Sequence, residues 1–251
     1  MNALSVAQGT LAGGETVAIS GANLSSVTRV MFGSEEATSV RVIDNSTVDV
    51  VVPHSYTYTA GPVPVKVFVS TQTPAVASTT DLEYSYQALT DVDRQLEYAF
   101  AHWDNYNLAQ YGDFTAWGGD CMNFVSQTLV ARGWATTDDW FNDAQQEWAP
   151  AFVDVPSFDE WLSAHPEYGA TRHTLADRDE LKIGDIVMFD WDNDGSLDHA
   201  QIVSGVTVVD GETKIFLVGH DIDTHYRDLD EALKTEGGPD ATAFFWSLPS
   251  S

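Results

Sequence analysis

The chain has 251 residues, with 38 Asp and Glu against 11 Lys and Arg and a formal net charge of −27. A polyanion repels phosphate backbones and anionic lipid surfaces, so nucleic acid and membranes are excluded as expected partners, whereas cations such as calcium are favoured. The length suits two domains, no run approaches the roughly 18 apolar residues of a membrane span, and the single cysteine, Cys121, excludes a disulfide within the chain.

Residues 1 to about 86 read as short strands. Thr16-Val17-Ala18-Ile19 leads into the turn Ser20-Gly21-Ala22-Asn23, and Val27–Gly33, Thr47–Pro53 and Val63–Val69 follow. Alternation with period two, β-branched residues and Gly, Pro and Asn punctuation predict an all-β, immunoglobulin-like sandwich over residues 1–87. No cluster of His, Cys and carboxylates falls in this half, so the chemistry is expected elsewhere. The stretch Gly13–Leu24, then Val30-Met31-Phe32-Gly33, Val52-Pro53 and a closing Leu82-Glu83-Tyr84-Ser85-Tyr86 resemble an IPT/TIG domain. That resemblance implies a spacer or binding module common on extracellular proteins, and so a secreted or cell-surface location. The amino terminus, Met1-Asn2-Ala3-Leu4, lacks the basic segment and apolar core of a signal peptide, and composition alone leaves a cytoplasmic protein open.

The grammar changes over residues 88–251. Thr90-x-x-Asp93 predicts a capping box opening a helix, along which Val92, Leu96, Ala99, Trp103 and Tyr106 form one apolar stripe. A second helix is predicted from Cys121 to Arg132, stopping at Gly133, and a third, short one is expected to be capped by Ser157-x-x-Glu160. Three strands follow, Ile183–Trp191, His199–Val209 and Lys214–His220, the last two joined by Asp210-Gly211 as a hairpin turn. The expected fold is α+β with a small antiparallel sheet.

Gly118-Gly119-Asp120-Cys121 places the thiol at a helix start after a glycine turn. Backbone N–H groups and the helix dipole there favour an anion, which would lower the thiol pKa and supply oxyanion donors. Cys121 is therefore expected to be a reactive, accessible nucleophile. Asp120 is read as the N-cap, since an unoccupied carboxylate beside a thiolate would oppose ionisation. His199, opening a strand directly after a buried one, is the candidate base. His54, His102, His165 and His173 carry no partner signal. Trp134, Trp140, Trp148 and Phe152 could line a cleft or fill the core.

The stretches Tyr106-Asn107 to Tyr111, Gly119-Asp120-Cys121-x-Asn123-Phe124-Val125-Ser126-Gln127, Gly184-Asp185-Ile186-Val187, Asp190-Trp191-Asp192-x-Asp194-Gly195-x-x-Asp198-His199 and Ile202-Val203 resemble the putative amidase domain family. These are distant relatives of bacterial cell-wall cysteine hydrolases of papain-like fold, and the resemblance spans roughly residues 92 to 248. It implies hydrolysis of an amide by Cys121, His199 and a third polar residue, with peptide substrates, peptidoglycan stem peptides foremost, and no cofactor for the chemistry. It also implies a tyrosine near the oxyanion, Tyr111 first and Tyr106 as runner-up, with Asp120 and Asn123 in support. Gly219-His220-Asp221 departs from the family's Gln-His-Thr, and Met122 from its usual Thr or Ser.

Strand geometry bears on the third residue. If Asp210-Gly211 is a two-residue turn, Val209 pairs with Glu212, and the same register places Gln201 opposite His220. His199 and His220 then share a face as diagonal neighbours, whereas Asp221 points away, and a single bulge would reverse that parity. Asp190, Asp192, Asp194 and Asp198 fall at positions 1, 3, 5 and 9 of a calcium loop with Gly195 at position 6, but Gln201 stands where a bidentate Glu belongs. Calcium is the expected structural ion, against the bland reading of an Asn193-Asp194-Gly195 turn. The rival functions are a non-catalytic adhesive protein, an acyltransferase using the same Cys–His pair and, weakest, a metal hydrolase built on His199, His220 and His225.

Overall fold

The structure, a computed structural model, describes residues 3–69 and 82–249. The chain divides into two compact units, Met1–Asp93 and Arg94–Ser251.

Among the described residues, nine strands build the first unit: β1 (Ala3–Leu4), β2 (Gln8–Thr10), β3 (Thr16–Ser20), β4 (Val27–Phe32), β5 (Glu35–Glu36), β6 (Ser39–Val42), β7 (Thr47–Val51), β8 (Gly61–Val69) and β9 (Glu83–Gln87). They form two sheets, β1-β3-β7-β6 and β2-β9-β8-β4-β5, with β2 parallel to β9. Val17, Ile19, Val48 and Val50 from one sheet, and Val30, Phe32, Val65, Val67, Tyr84 and Tyr86 from the other, are all fully or almost fully buried. One face of β3, β4, β7, β8 and β9 thus enters a sandwich core. The Tyr86 hydroxyl donates to the Pro53 carbonyl at 2.8 Å, which satisfies the one polar atom that this ring brings inside.

The first helix, α1 (Asp91–His102), begins at the end of the first unit and runs into the second, where α2 (Leu108–Tyr111) and α3 (Cys121–Arg132) follow. The Thr90–Asp93 capping box forms: Thr90 Oγ1 accepts from Asp93 N at 3.1 Å and Asp93 Oδ2 accepts from Thr90 N at 2.9 Å. The apolar stripe of α1 ends with the helix, so Trp103 and Tyr106 lie beyond it. Ten of the twelve residues of α3 are buried, the pattern of a helix enclosed by protein rather than lying on a surface. A two-stranded ribbon, β10 (Asn142–Asp143) and β11 (Glu147–Trp148), precedes α4 (Pro150–Val153) and α5 (Val155–Ala164). The N-cap of α5 is Asp154, whose carboxylate accepts from Ser157 N at 3.0 Å; Ser157, the expected cap, sits inside the first turn.

The rest is one six-stranded antiparallel sheet: β12 (Thr171–Thr174), β13 (Ile186–Asp190), β14 (His199–Val209), β15 (Glu212–Gly219), β16 (Thr224–Asp228) and β17 (Thr242–Ser247), in the order β12-β17-β13-β14-β15-β16. A short helix, α6 (Leu229–Ala232), lies between β16 and β17 in the chain. One core packs Val187, Phe189, Val203, Leu217 and Phe245 with Leu229 and Leu233. The alternate residues of β13 and β14, among them Met188, Ala200 and Ile202, are fully buried as well, and α3 lies against β14. A sheet covered on both faces explains why Ile186–Asp190 reads as a continuous apolar run.

The hairpin turn forms where expected. Asp210 and Gly211 take φ of 53° and 86°, the left-handed pair that a type I′ turn requires, and Val209 faces Glu212. That register holds up to Gly205 opposite Phe216 and then slips, so that Val203 faces Leu217 and Ile202 faces Val218. Ser204 is the extra residue of a β-bulge. Beyond it the parity is reversed. Continuing the observed register sets Ala200, not Gln201, opposite His220, and the strand argument for pairing His220 with His199 no longer holds.

Candidate active site

Cys121 is the first residue of α3, and its sulfur lies against the backbone N–H of Ala200, the residue after His199. The start of α3 and the start of β14 therefore meet at the thiol. The thiol borders a cleft of about 240 Å³, lined also by Phe114, Trp117, Gly119, Trp148 and Leu197. Cys121 is nevertheless buried, only 6% exposed, against the expectation of an accessible group. Burial pushes the thiol up to about 12, with the nearby carboxylates of Asp221 and Asp120 acting in the same direction. The backbone N–H groups of Ala200 and Met122 favour the thiolate but do not overcome these effects, and the N–H groups of Asp120 and Cys121 are taken by another group.

That group is Asp221. Its Oδ2 accepts from Cys121 N at 2.8 Å and, more closely still, from Asp120 N, while its Oδ1 accepts from Thr115 Oγ1 at 3.2 Å. The two N–H groups that would polarise a carbonyl thus bond a carboxylate of the chain itself. Gly119 makes room for it: a Cβ there would lie 2.9 Å from Asp221 Oδ2, and the φ of 130° at Gly119 is one that L side chains rarely adopt.

Asp120 does not cap α3 with its side chain. Its carboxylate turns inward, where Oδ1 accepts from Phe114 N and Asn123 Nδ2, both at 2.9 Å, and Oδ2 lies 2.6 Å from His220 Nδ1. The other ring nitrogen of His220 lies 2.8 Å from the His102 carbonyl oxygen. A carbonyl only accepts, so Nε2 donates there. Asn123 extends the network through Asn142 Nδ2, 2.9 Å from Asn123 Oδ1. The ring of His220 is stacked at 3.6 Å on Tyr106 and packs against Phe124.

His199 is in different surroundings. Its ring neighbours are Phe189 at 5.9 Å and Trp191 at 6.0 Å, and its buried Nε2 has no hydrogen-bond partner among the described residues. Neither nitrogen of His220 bonds it. Burial lowers the imidazole to about 4, helped by the positive charge of Arg227. Burial thus disfavours the charged form of both groups and opposes transfer of the proton from sulfur to nitrogen in this arrangement. The pair rests as neutral thiol and neutral imidazole, not as the ion pair that a helix start alone would suggest.

The sequence pattern of the putative amidase domain matches residues 89–246, and that of the IPT/TIG domain matches residues 1–86. The chain belongs to the putative amidase domain family. The amidase domain follows an IPT/TIG domain, the order read from the sequence. No curated protein matches the chain. Among solved structures it is similar, at 10% identity and a TM-score of 0.24, to SGBP-B of the Bacteroides ovatus mixed-linkage glucan utilization locus, in complex with a mixed-linkage heptasaccharide. The alignment covers 100% of this chain and 53% of that one, so the chain spans about half the length of this neighbour.

Within the amidase domain, Tyr111 is buried and stacked on Phe152, and its hydroxyl accepts from Gln110 Nε2 at 3.1 Å. The runner-up, Tyr106, stands closer to the thiol's neighbours: its hydroxyl accepts from Asp221 N at 3.4 Å and donates to Asp223 Oδ1 at 2.7 Å. Trp140 and Phe152 are core residues, Trp134 packs on Trp140 and Tyr168, and of the four aromatics considered only Trp148 reaches the cleft. Phe114 and Trp117, which the sequence reading left out, make up the rest of that aromatic wall.

The acidic loop after β13 brings one carboxylate oxygen each of Asp190, Asp192 and Asp194 within 4.8 Å of one another. Hard oxygen donors of this kind suit calcium. Asp190 already accepts from Asp194 N and Gly195 N, at 3.1 and 3.0 Å, which folds the loop around its first carboxylate. Asp198 is set apart, with its Oδ2 2.7 Å from Trp191 N, and Gln201 is buried within β14 opposite Val187. The residues that fit an ion are therefore the first three of the four expected.

Proposed function

We propose that the chain is a secreted or cell-surface cysteine amidase of papain-like type, with Cys121 as nucleophile and His199 as base. The observation that carries this reading is the meeting of the α3 start and the β14 start on an open cleft, with the sulfur against the N–H next to His199. The family match and the IPT/TIG domain support it from outside the site. Substrate binding carries the thiol proton to His199 as sulfur attacks the amide carbonyl carbon. The tetrahedral intermediate collapses with cleavage of the C–N bond, and the imidazolium gives its proton to the departing amine. Water, deprotonated by His199, then attacks the thioester, and the carboxylic acid leaves as the thiol is restored. His220 takes no proton in this scheme; with Asp120 it fixes the end of β15 against α3, a positioning role in place of the triad role expected from the sequence.

Peptidoglycan stem peptides are the substrate class this reading favours, and calcium on Asp190, Asp192 and Asp194 is its structural cofactor. The test is digestion of purified cell wall by the parent chain and by Cys121→Ala, with mass analysis of released fragments. New amine and carboxyl ends produced by the parent alone support the reading; identical fragments from both chains overturn it.

A further inference from the structure

The donors at the start of α3 are already engaged. Asp120 N and Cys121 N both point at Asp221 Oδ2, within bonding distance, and Thr115 Oγ1 holds the other carboxylate oxygen. Asp221 adopts φ of 66°, a left-handed conformation that is uncommon for a residue with a side chain, at the turn just after β15. Its backbone N–H reaches Tyr106 Oη at 3.4 Å. The carboxylate lies beside a residue of the cleft wall: Gly119, whose Cβ position would lie 2.9 Å from Asp221 Oδ2 and 4.0 Å from Cys121 Sγ, lines the same cleft as the thiol.

An amide carbonyl attacked by Cys121 would have to place its oxygen where those two N–H groups converge. We propose that the N–H groups of Asp120 and Cys121 form the carbonyl-oxygen site of the cleft, and that Asp221 is its built-in occupant, a carboxylate of the chain that holds the thiol inactive until substrate displaces it. The inference rests on Cys121 as nucleophile and deepens that reading. Two consequences of the contact work together. The carboxylate fills the place of the developing oxyanion, and its charge beside the sulfur opposes thiolate formation. The substrate class then follows: an uncharged amide carbonyl that can take both N–H groups while its flanking atoms contact Phe114, Trp117 and Trp148. A substrate with a free carboxylate next to the scissile bond would meet Asp221 charge against charge.

The experiment measures alkylation of Cys121 by iodoacetamide, which needs no turnover, in the parent, Asp221→Ala, Asp221→Asn and Asp104→Asn chains. Asp104 is exposed and serves as a control for loss of one negative charge. Both Asp221 variants are expected to alkylate about tenfold or more faster than the parent at neutral pH, with Asp104→Asn unchanged. Added acetate should return Asp221→Ala toward the parent rate in a saturable way by refilling the vacated site. If circular dichroism shows that Asp221→Ala does not fold, Asp221→Asn, which keeps the side-chain shape, carries the rate comparison. Unchanged rates in a folded Asp221 variant, an equal acceleration in Asp104→Asn, or Asp221→Ala kinetics indifferent to acetate would each overturn the proposal. Full amide hydrolysis by Cys121→Ala would instead overturn the nucleophile while leaving the alkylation result intact.

Discussion

His220 Nδ1 lies 2.6 Å from Asp120 Oδ2, with both side chains fully buried. Since Nε2 of the same ring donates to the His102 carbonyl, the contact between Nδ1 and the carboxylate needs one more proton, held by either partner. The pair is neutral as a whole in both arrangements, which is how two titratable groups can be enclosed together.

Breaking that pair leaves the surviving partner buried and unmatched. Asp120→Ala is expected to lower unfolding free energy by about 3–5 kcal/mol, and His220→Ala by a similar amount. Because both serve one interaction, the double variant should cost much less than the two single losses added together. Urea unfolding of the four chains checks this. Additive losses would show that the two groups are not coupled.

The alkylation of Cys121 in the parent chain should betray a protonated resting thiol. Burial, with Asp221 and Asp120 nearby, holds the group up to about 12. The rate with iodoacetamide is expected to climb steadily with pH beyond the region, about 8.5, in which a free cysteine becomes thiolate. A plateau reached below neutral pH would mean a thiolate–imidazolium pair and would contradict the burial argument.

The elements of the site were legible in the sequence because each obeys a local rule. Cys121–Arg132 is a helix between Asp120 and Gly133, and Asp210-Gly211 dictates its own turn. Tertiary relationships were less legible. The bulge at Ser204 reverses the side-chain parity of β14, and its only local trace is Gly205 within a strand of β-branched residues. Asp120 looked like a cap because cap rules consider neighbours in sequence, yet its partner His220 is 100 positions away. The real acceptor at the start of α3, Asp221, comes from the end of another element, and no spacing rule connects the two. Strands β12 and β16 have no fully buried residue, which leaves them without a clear alternating pattern in the sequence.

Calcium should stabilise the amidase domain through the loop after β13. Asp190, Asp192 and Asp194 repel one another unless an ion lies between them, and their oxygens already lie within 4.8 Å. Added calcium is expected to raise the melting temperature by a few degrees, corresponding to about 1–2 kcal/mol, and EDTA to remove the gain. Asp192→Asn with Asp194→Asn should abolish the response. A melting temperature indifferent to calcium and EDTA alike would leave the loop as an acidic turn.

The last prediction concerns acid. His199 is lowered to about 4 in the folded chain, from a model-peptide value of 6.5, because burial and the charge of Arg227 both oppose protonation. Between those values the unfolded chain binds the proton and the folded chain does not, so stability falls as pH drops. The contribution is fully present above about pH 6.5 and is lost progressively toward pH 4; the whole interval is worth about 3 kcal/mol. Below the folded value both states are protonated and the loss levels off. His199→Gln, which carries no titratable group, should flatten this limb while the remaining carboxylates keep their own. Unfolding free energies of the two chains, measured by urea at a series of pH values, make the comparison, with the difference between them as the readout. A difference that stays constant from pH 7 to pH 4 would show that the imidazole is not held neutral by burial, and His199 would then be free to ionise alongside Cys121.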